Sequence, residues 1–282
     1  MSLTHRLSRT ALAAVACLAA CAAVASEPPV TDAATLATLD KVLAGTHRSE
    51  PNKARDAWRH PKETLAFFGL RQDMTVLEVW PGGGGWYTEV LAPVLREHGH
   101  YIAAGQDPKS ESKYTQDNLK KFADKLAGHP EVYDRAKVTA LQAPNALHPV
   151  PDGSVDMVLT FRNVHNWMGG GNADAMFKAM YAALKPGGIL GVEEHRAKNS
   201  GPQDPKADSG YVRTDYLVAL AEKAGFKLIG ESEVNANPKD TADHPNGVWS
   251  LPPTFKGGDA DRDKFAAIGE SDRQTLRFRK PE

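Results

Sequence analysis

The chain is expected to fold as an α/β domain built on a mostly parallel sheet. Three observations carry this expectation: seven short apolar runs of strand length, amphipathic segments at helical spacing between them, and a glycine run set between a strand and a helix. The first five runs are Thr75–Val79, Tyr101–Ala104, Lys137–Leu141, Val155–Phe161 and Gly188–Glu193. Between them Tyr87/Val90/Leu91/Val94, Leu119/Phe122/Leu126 and Met176/Phe177/Met180/Leu184 recur at intervals that place them on one helix face. Strand alternating with helix argues for a parallel sheet covered on both faces. Tyr216–Ala224 then reads as a helix closed by Gly225, Phe226–Glu231 as a sixth strand and Thr275–Arg279 as a seventh.

The rest of the chain is organised around this core. Residues 26–36 are small, polar and proline-containing and read as a tether, and 37–70 read as a helical segment stopped by Gly69. The main domain is therefore 71–282, with an insertion at about 232–273 that is rich in Pro, Gly, Asn and Asp. Loops of that length inside a compact domain are often lids or binding loops, and Trp249, Leu251 and Phe255 are the residues expected to close a pocket. At 282 residues, 41% hydrophobic and 24% charged, the chain can bury a substantial core. A formal net charge of −1 with no basic stripe gives no electrostatic argument for nucleic acid.

The N-terminus reads as a secretory signal spanning residues 1–25. His5, Arg6 and Arg9 precede an apolar run from Ala11 to Ala20. Two exits are written into it: Leu18-Ala19-Ala20-Cys21 has the form of a lipobox, and Ala23-Val24-Ala25 the form of an ordinary signal-peptidase site. Either predicts export to the periplasm, the first with membrane attachment through a lipidated Cys21. Both cysteines, Cys17 and Cys21, fall in this segment, so the remaining chain has no thiol nucleophile, disulfide or cysteine metal site.

The most informative stretch is VLEVWPGGGGWYTEVLAP, residues 76–93. Glycines at the end of a strand let the backbone turn tightly and approach a ligand, and the helix behind them offers free N–H groups. The stretch resembles the first motif of the class I S-adenosylmethionine-dependent methyltransferases, with Glu78, Gly82 and Gly84 in the acid, second-glycine and third-glycine positions. PVPDGSVDMVLTFRNVHNW (149–167), LKPGGILGVEEHRA (184–197) and AGFKLIG (224–230) resemble the segments around the family's fourth, fifth and sixth strands. The closest likeness is to predicted bacterial methyltransferases with a Trp-Pro-Gly-Gly-Gly loop. The resemblance implies a Rossmann-like seven-stranded sheet with helices on both faces, and S-adenosyl-L-methionine as cofactor.

It also implies a set of cofactor residues: Trp80, Gly82, Gly83 and Gly84 in the loop, with Glu78 before it. Asp107, after the second strand, takes the place of the acid that binds the ribose. Where the family has an acid for the adenine amine, this chain offers Gln142 or Asn145. Trp80 departs from the pattern by standing where the first glycine belongs. Arg162 and Asn163, after the fourth strand, are expected to bond the cofactor or a substrate carboxylate. His165, whose ordinary pKa lies near neutrality, is the candidate general base, with a hydrogen-bonded loop histidine as the structural alternative. Glu193, Glu194 and His195 end the fifth strand at the same edge, but no further residues stand at metal-site spacing, and no metal is expected.

The function implied is methyl transfer to a small molecule or cell-envelope component. An envelope binding or scaffold protein that keeps the fold without the reaction is the alternative, because an exported chain lies away from the obvious supply of the cofactor. A nicotinamide-dependent oxidoreductase fits less well, since four consecutive glycines do not match G-x-G-x-x-G spacing.

Overall fold

The computed structural model describes residues 27–198 and 201–282. The signal segment, with Cys17 and Cys21, lies outside the described residues. Four helices precede the sheet: α1 (Ala33–Leu43), α2 (Glu50–Lys53), α3 (Asp56–Arg59) and α4 (Pro61–Phe68). There follow β1 (Thr75–Val79), α5 (Thr88–Leu95), β2 (His100–Gly105), α6 (Lys113–Gly128), α7 (Pro130–Tyr133), β3 (Lys137–Ala140) and β4 (Val155–Phe161). The chain continues with α8 (Val164–Gly169), α9 (Ala173–Ala183), β5 (Leu184–His195), α10 (Thr214–Lys223), β6 (Lys227–Ser232), α11 (Arg262–Ile268) and β7 (Arg273–Arg279).

The strands form one seven-stranded sheet in the order β3-β2-β1-β4-β5-β7-β6, in which β7 alone runs antiparallel to its neighbours. Strand order reverses between β1 and β4, so a crevice opens there beyond the carboxyl ends of the strands, where ligands of such sheets bind. This is the doubly wound fold expected from the alternation of runs. Alternate residues feed two cores: Leu77, Val79, Val158 and Leu190 face α8, α9 and α10, while Val76, Met157, Leu159 and Ile189 face α4 and α5.

Two parts of the N-terminal reading change. Within the expected tether at 26–36, the described residues 27–36 are partly helical and docked: the Asp32 side chain accepts from Thr35 N at 2.7 Å and caps α1, and Arg277 donates to Pro29 O at 2.5 Å. The half-buried Arg277 guanidinium needs carbonyl acceptors, and the passing chain provides one. The stretch 37–70 is not one helical run either, because Pro51 and Pro61 each begin a new helix and Gly45 ends the first. Gly69 does close α4, at φ +80°.

Gly191 in β5 shows how closely α4 sits on the sheet. A Cβ there would lie 2.6 Å from Leu159 Cδ2 and 2.8 Å from Phe68 Cγ. Gly191→Ala is therefore expected to destabilise the fold by about 1–3 kcal/mol through overpacking. Urea unfolding would show it as a lower midpoint at unchanged slope.

Candidate active site

The glycine loop leaves β1 through Trp80, which takes a left-handed backbone at φ +54°. That conformation is costly for a large side chain and is held here by anchors on three sides. Trp80 N donates to Ala104 O at 2.8 Å, the indole Nε1 donates to Leu141 O at 2.7 Å, and the ring meets Trp167 edge-on at 5.9 Å. Trp80 thus spans from β1 to the end of β3 and packs on the core, while one side of it faces the cavity described next. Gly82 follows at φ +71°, and no heavy atom lies within 4 Å of the position its Cβ would take. Gly83 is needed for a different reason, since a Cβ there would come within 2.8 Å of Asn118 on α6.

A cavity of about 360 Å³ lies over the β1 end and under α6. Trp80, Gly82 and Asn163 line it, as do Gln106, Tyr114, Asn118, Leu119, Phe122 and Asn166. Its size falls at the lower end of small-ligand sites, about 300–1,000 Å³. None of the lining residues carries a formal charge, and the exposed Tyr114 and Val138 form an apolar rim. An adenosyl group fits this wall: aromatic and aliphatic faces for a base, amides for its polar edge, and bare backbone at Gly82 for close approach. The α6 contribution was not recognised in sequence, where Leu119 and Phe122 read as core; Tyr114 carried no signal at all.

Apart from Asn163, the other expected cofactor residues lie outside that lining. Glu78 is buried beneath the loop, where it accepts from Tyr101 Oη at 2.6 Å and Thr88 Oγ1 at 3.2 Å. Burial pushes its pKa up to about 7 despite those donors. Gly83 and Gly84 line a shallower surface pocket with Asn52 and Lys125. Asp107 accepts from Lys109 N at 2.8 Å and so caps its own turn. Gln142 joins the β2 and β3 loops by accepting from Asp107 N at 2.7 Å, while Asn145 is exposed. Asn163 donates to Val79 O at 3.0 Å and to Thr160 Oγ1 at 3.1 Å, tying the β4 end to the loop. Arg162, at φ +60°, turns away from the cavity and donates to Glu193 Oε1 at 2.7 Å.

The β4 and β5 ends bring two histidines together. His165 Nδ1 lies 3.0 Å from Glu194 Oε1, and a carboxylate partner keeps the proton on Nδ1 and leaves Nε2 as an acceptor. Glu194 also accepts from the backbone N–H groups of His165 and His195. The rings of His165 and His195 are 5.4 Å apart, and His195 Nδ1 meets Ser271 Oγ at 2.6 Å. Burial, His165 and then Arg162 and Arg273 lower the His195 pKa well below its ordinary value. His165, Glu194 and His195 each bring a ligand-type atom within 4.8 Å of the others. The N–H donors already on Glu194 and the nearby guanidiniums oppose a cation there, so Glu194 is better placed to orient His165 than to bind metal.

The insertion covers this edge as a pinned segment. Asp240 accepts from Tyr211 Oη at 3.0 Å, His244 Nε2 at 2.8 Å and Asp272 N at 2.8 Å. Trp249 stands 6.0 Å from the His165 ring, Leu251 is buried, and Phe255 is turned under Arg262 of α11.

Comparison with known proteins agrees with this geometry. Residues 82–192 match the family model for a methyltransferase domain. No curated protein matches the chain by sequence. A SAM dependent methyltransferase from Aquifex aeolicus is 16% identical with a TM-score of 0.54, over 83% of this chain and 100% of that one. The [4+2]-cyclase SpnF is 18% identical with a TM-score of 0.57, over 88% of this chain and 93% of its own. Phosphoethanolamine N-methyltransferase 2 of Haemonchus contortus, in complex with S-adenosyl-L-methionine, is 15% identical with a TM-score of 0.54. That match covers 80% of this chain and 53% of the other, so the chain spans about half the length of that enzyme. The chain therefore has the Rossmann-like class I methyltransferase fold, and its residues 82–192 are similar to the methyltransferase-domain model.

The buried Glu78 makes a prediction about pH. Its folded pKa is about 7 against an ordinary 4.5, so between those values the folded state holds a proton that the unfolded state has lost. Stability is then full below pH 4.5 and falls as pH rises to 7, by about 3 kcal/mol in total. Glu78→Gln keeps an acceptor for Tyr101 and removes this slope. Urea unfolding of both proteins from pH 5 to 8 checks it.

Proposed function

We propose that this protein is an S-adenosylmethionine-dependent methyltransferase acting on a small molecule or cell-envelope component. The fold alone does not fix methyl transfer, since the similar SpnF is a [4+2]-cyclase. The observation that carries the reading is the placement of two sites side by side. A cavity with a bare glycine backbone stands over β1, and a carboxylate-oriented histidine stands at the adjoining β4 end.

The cofactor supplies a methyl group already activated by its sulfonium. Trp80, Gly82, Gln106, Tyr114, Asn118 and Asn163 are proposed to hold it. His165, with its Nδ1 proton on Glu194, takes a proton from the acceptor at Nε2. Trp249 and the pinned insertion exclude water from that side and align the acceptor. Export to the periplasm, with or without a lipid on Cys21, remains part of the proposal on the strength of residues 1–25.

Calorimetric titration of the purified protein with S-adenosylmethionine and S-adenosylhomocysteine is expected to show micromolar binding of both. Gly82→Val, which places a branched side chain at positive φ on the cavity wall, is expected to weaken both by about tenfold or more. No binding by folded wild-type protein would overturn the reading.

A second experiment concerns His165. With methyl-labelled cofactor and an envelope extract as acceptor source, His165→Gln is expected to lower labelled product by about 10²–10⁴-fold while cofactor binding stays intact. Equal labelling by the variant would remove His165 as the base.

A further inference from the structure

A second group of charges lies beside the proposed site, where the N-terminal helices meet β4, β5 and β7. Arg55 and Arg59, at the two ends of α3, Arg162 after β4 and Arg273 on β7 converge on Glu193 and Glu270. Arg55 Nε donates to Glu270 Oε1 at 2.6 Å and Arg59 Nε to Glu270 Oε2 at 3.2 Å. Arg162 Nη1 donates to Glu193 Oε1 at 2.7 Å, and Arg273 Nη1 reaches Glu193 at 3.2 Å and Glu270 at 3.3 Å. Four guanidiniums thus share two carboxylates.

The imbalance is visible residue by residue. Glu270 is held down to about 2 because Arg59, Arg273 and Arg55 outweigh the effect of burial. Arg273 and Arg162 likewise hold Glu193 below the usual carboxylate range against its burial. Arg162, with the shortest bond to Glu193, keeps its charge firmly, and Arg59 is the guanidinium left over. Burial and then the charge of Arg162 lower Arg59 to about 9. Its side chain is 5% exposed, yet it donates only through Nε, and its terminal nitrogens have no hydrogen-bond acceptor among the described residues. Its guanidinium lies 4.7 Å from the Trp86 ring, and Trp86 directly follows the glycine loop. Arg273 Nε is also buried without a partner. Guanidinium N–H groups without an acceptor inside the protein remain available to a ligand, and a cluster built only to staple helices to strands has no use for them.

We propose that Arg59, Arg162 and their neighbours form a recognition site for an anionic group, a carboxylate or a phosphate, carried by the methyl acceptor. Planar guanidiniums that still have N–H groups to offer are suited to either oxyanion. Arg162 adjoins Asn163 of the cavity wall in the chain, and of the neighbouring acids Glu193 bonds the arginines while Glu194 bonds His165. The acceptor would then be held by its anion on the Glu193 side and deprotonated on the Glu194 side. The role as acceptor site rests on the methyltransferase reading; the anion site itself does not.

The test uses purified protein saturated with S-adenosylhomocysteine, titrated with inorganic phosphate and separately with acetate. Thermal unfolding is followed against chloride at matched ionic strength. A saturable stabilisation by either probe, at least about tenfold weaker in Arg59→Gln, supports the site, and the stronger probe identifies the group. Without any anion, Arg59→Gln is expected to be close to wild type in stability, because Arg55 and Arg273 still pair with Glu270 after the change. Three results would overturn the inference: no effect beyond chloride, an effect present in the protein without S-adenosylhomocysteine but absent from the saturated protein, or marked destabilisation of Arg59→Gln without anion. The second result would assign the cluster to the cofactor's own carboxylate and the third to a structural staple. If S-adenosylhomocysteine does not bind while phosphate or acetate does, the methyltransferase reading fails and the anion site stands.

Discussion

A carboxylate with no access to water has to be surrounded by donors, and Glu193 meets that condition by drawing separate parts of the chain onto one strand end. Tyr87 reaches it from the turn into α5, Arg162 from the β4 turn, Arg273 from β7 and Asn235 from the insertion. Asn235 passes the connection on to Thr64 of α4 and Thr275 of β7. The N-terminal helices, the glycine-loop helix and the antiparallel strand are positioned relative to one another by this single charge. Ionising it without those partners would cost several kcal/mol.

The neighbouring acid does different work. Successive side chains of a strand point to opposite faces, so Glu193 and Glu194 leave the β5 end in opposite directions. Glu193 organises guanidiniums, and Glu194 organises the His165 turn through one ring bond and one backbone N–H group. One dipeptide thereby sets two adjoining environments, one built on guanidiniums and one on an oriented imidazole. The low pKa of His195 follows from that adjacency as well as from burial.

The glycine loop shows how a departure from a family pattern can be absorbed. With tryptophan at the first glycine position, the backbone still turns left-handed, and the strain is offset by an indole hydrogen bond and by packing on Trp167. The side chain bridges the β1 and β3 ends and forms one wall of the cavity, with α6 residues forming another.

The strand pattern, the stop at Gly69 and the glycine turn were legible in sequence because each rests on local physics: periodic burial, left-handed backbone and close approach. β1 and β4 were read to the residue, at Thr75–Val79 and Val155–Phe161. Trp80 and Gly82, singled out by the motif, and Asn163, singled out by its place after the fourth strand, all line the cavity. What sequence could not reveal were pairings across long separations. Nothing local marks Arg59 as the buried residue beside an exposed Trp58, because its partner Glu270 lies more than two hundred positions away. The same holds for Tyr114 and Asn118, whose helix reads as an ordinary amphipathic one until it folds over the loop. The sequence by itself determined the fold and the place of the crevice, since both follow from the order of elements. Only the tertiary structure decided which charges meet there, since burial and electrostatic pairing depend on distance in space rather than along the chain.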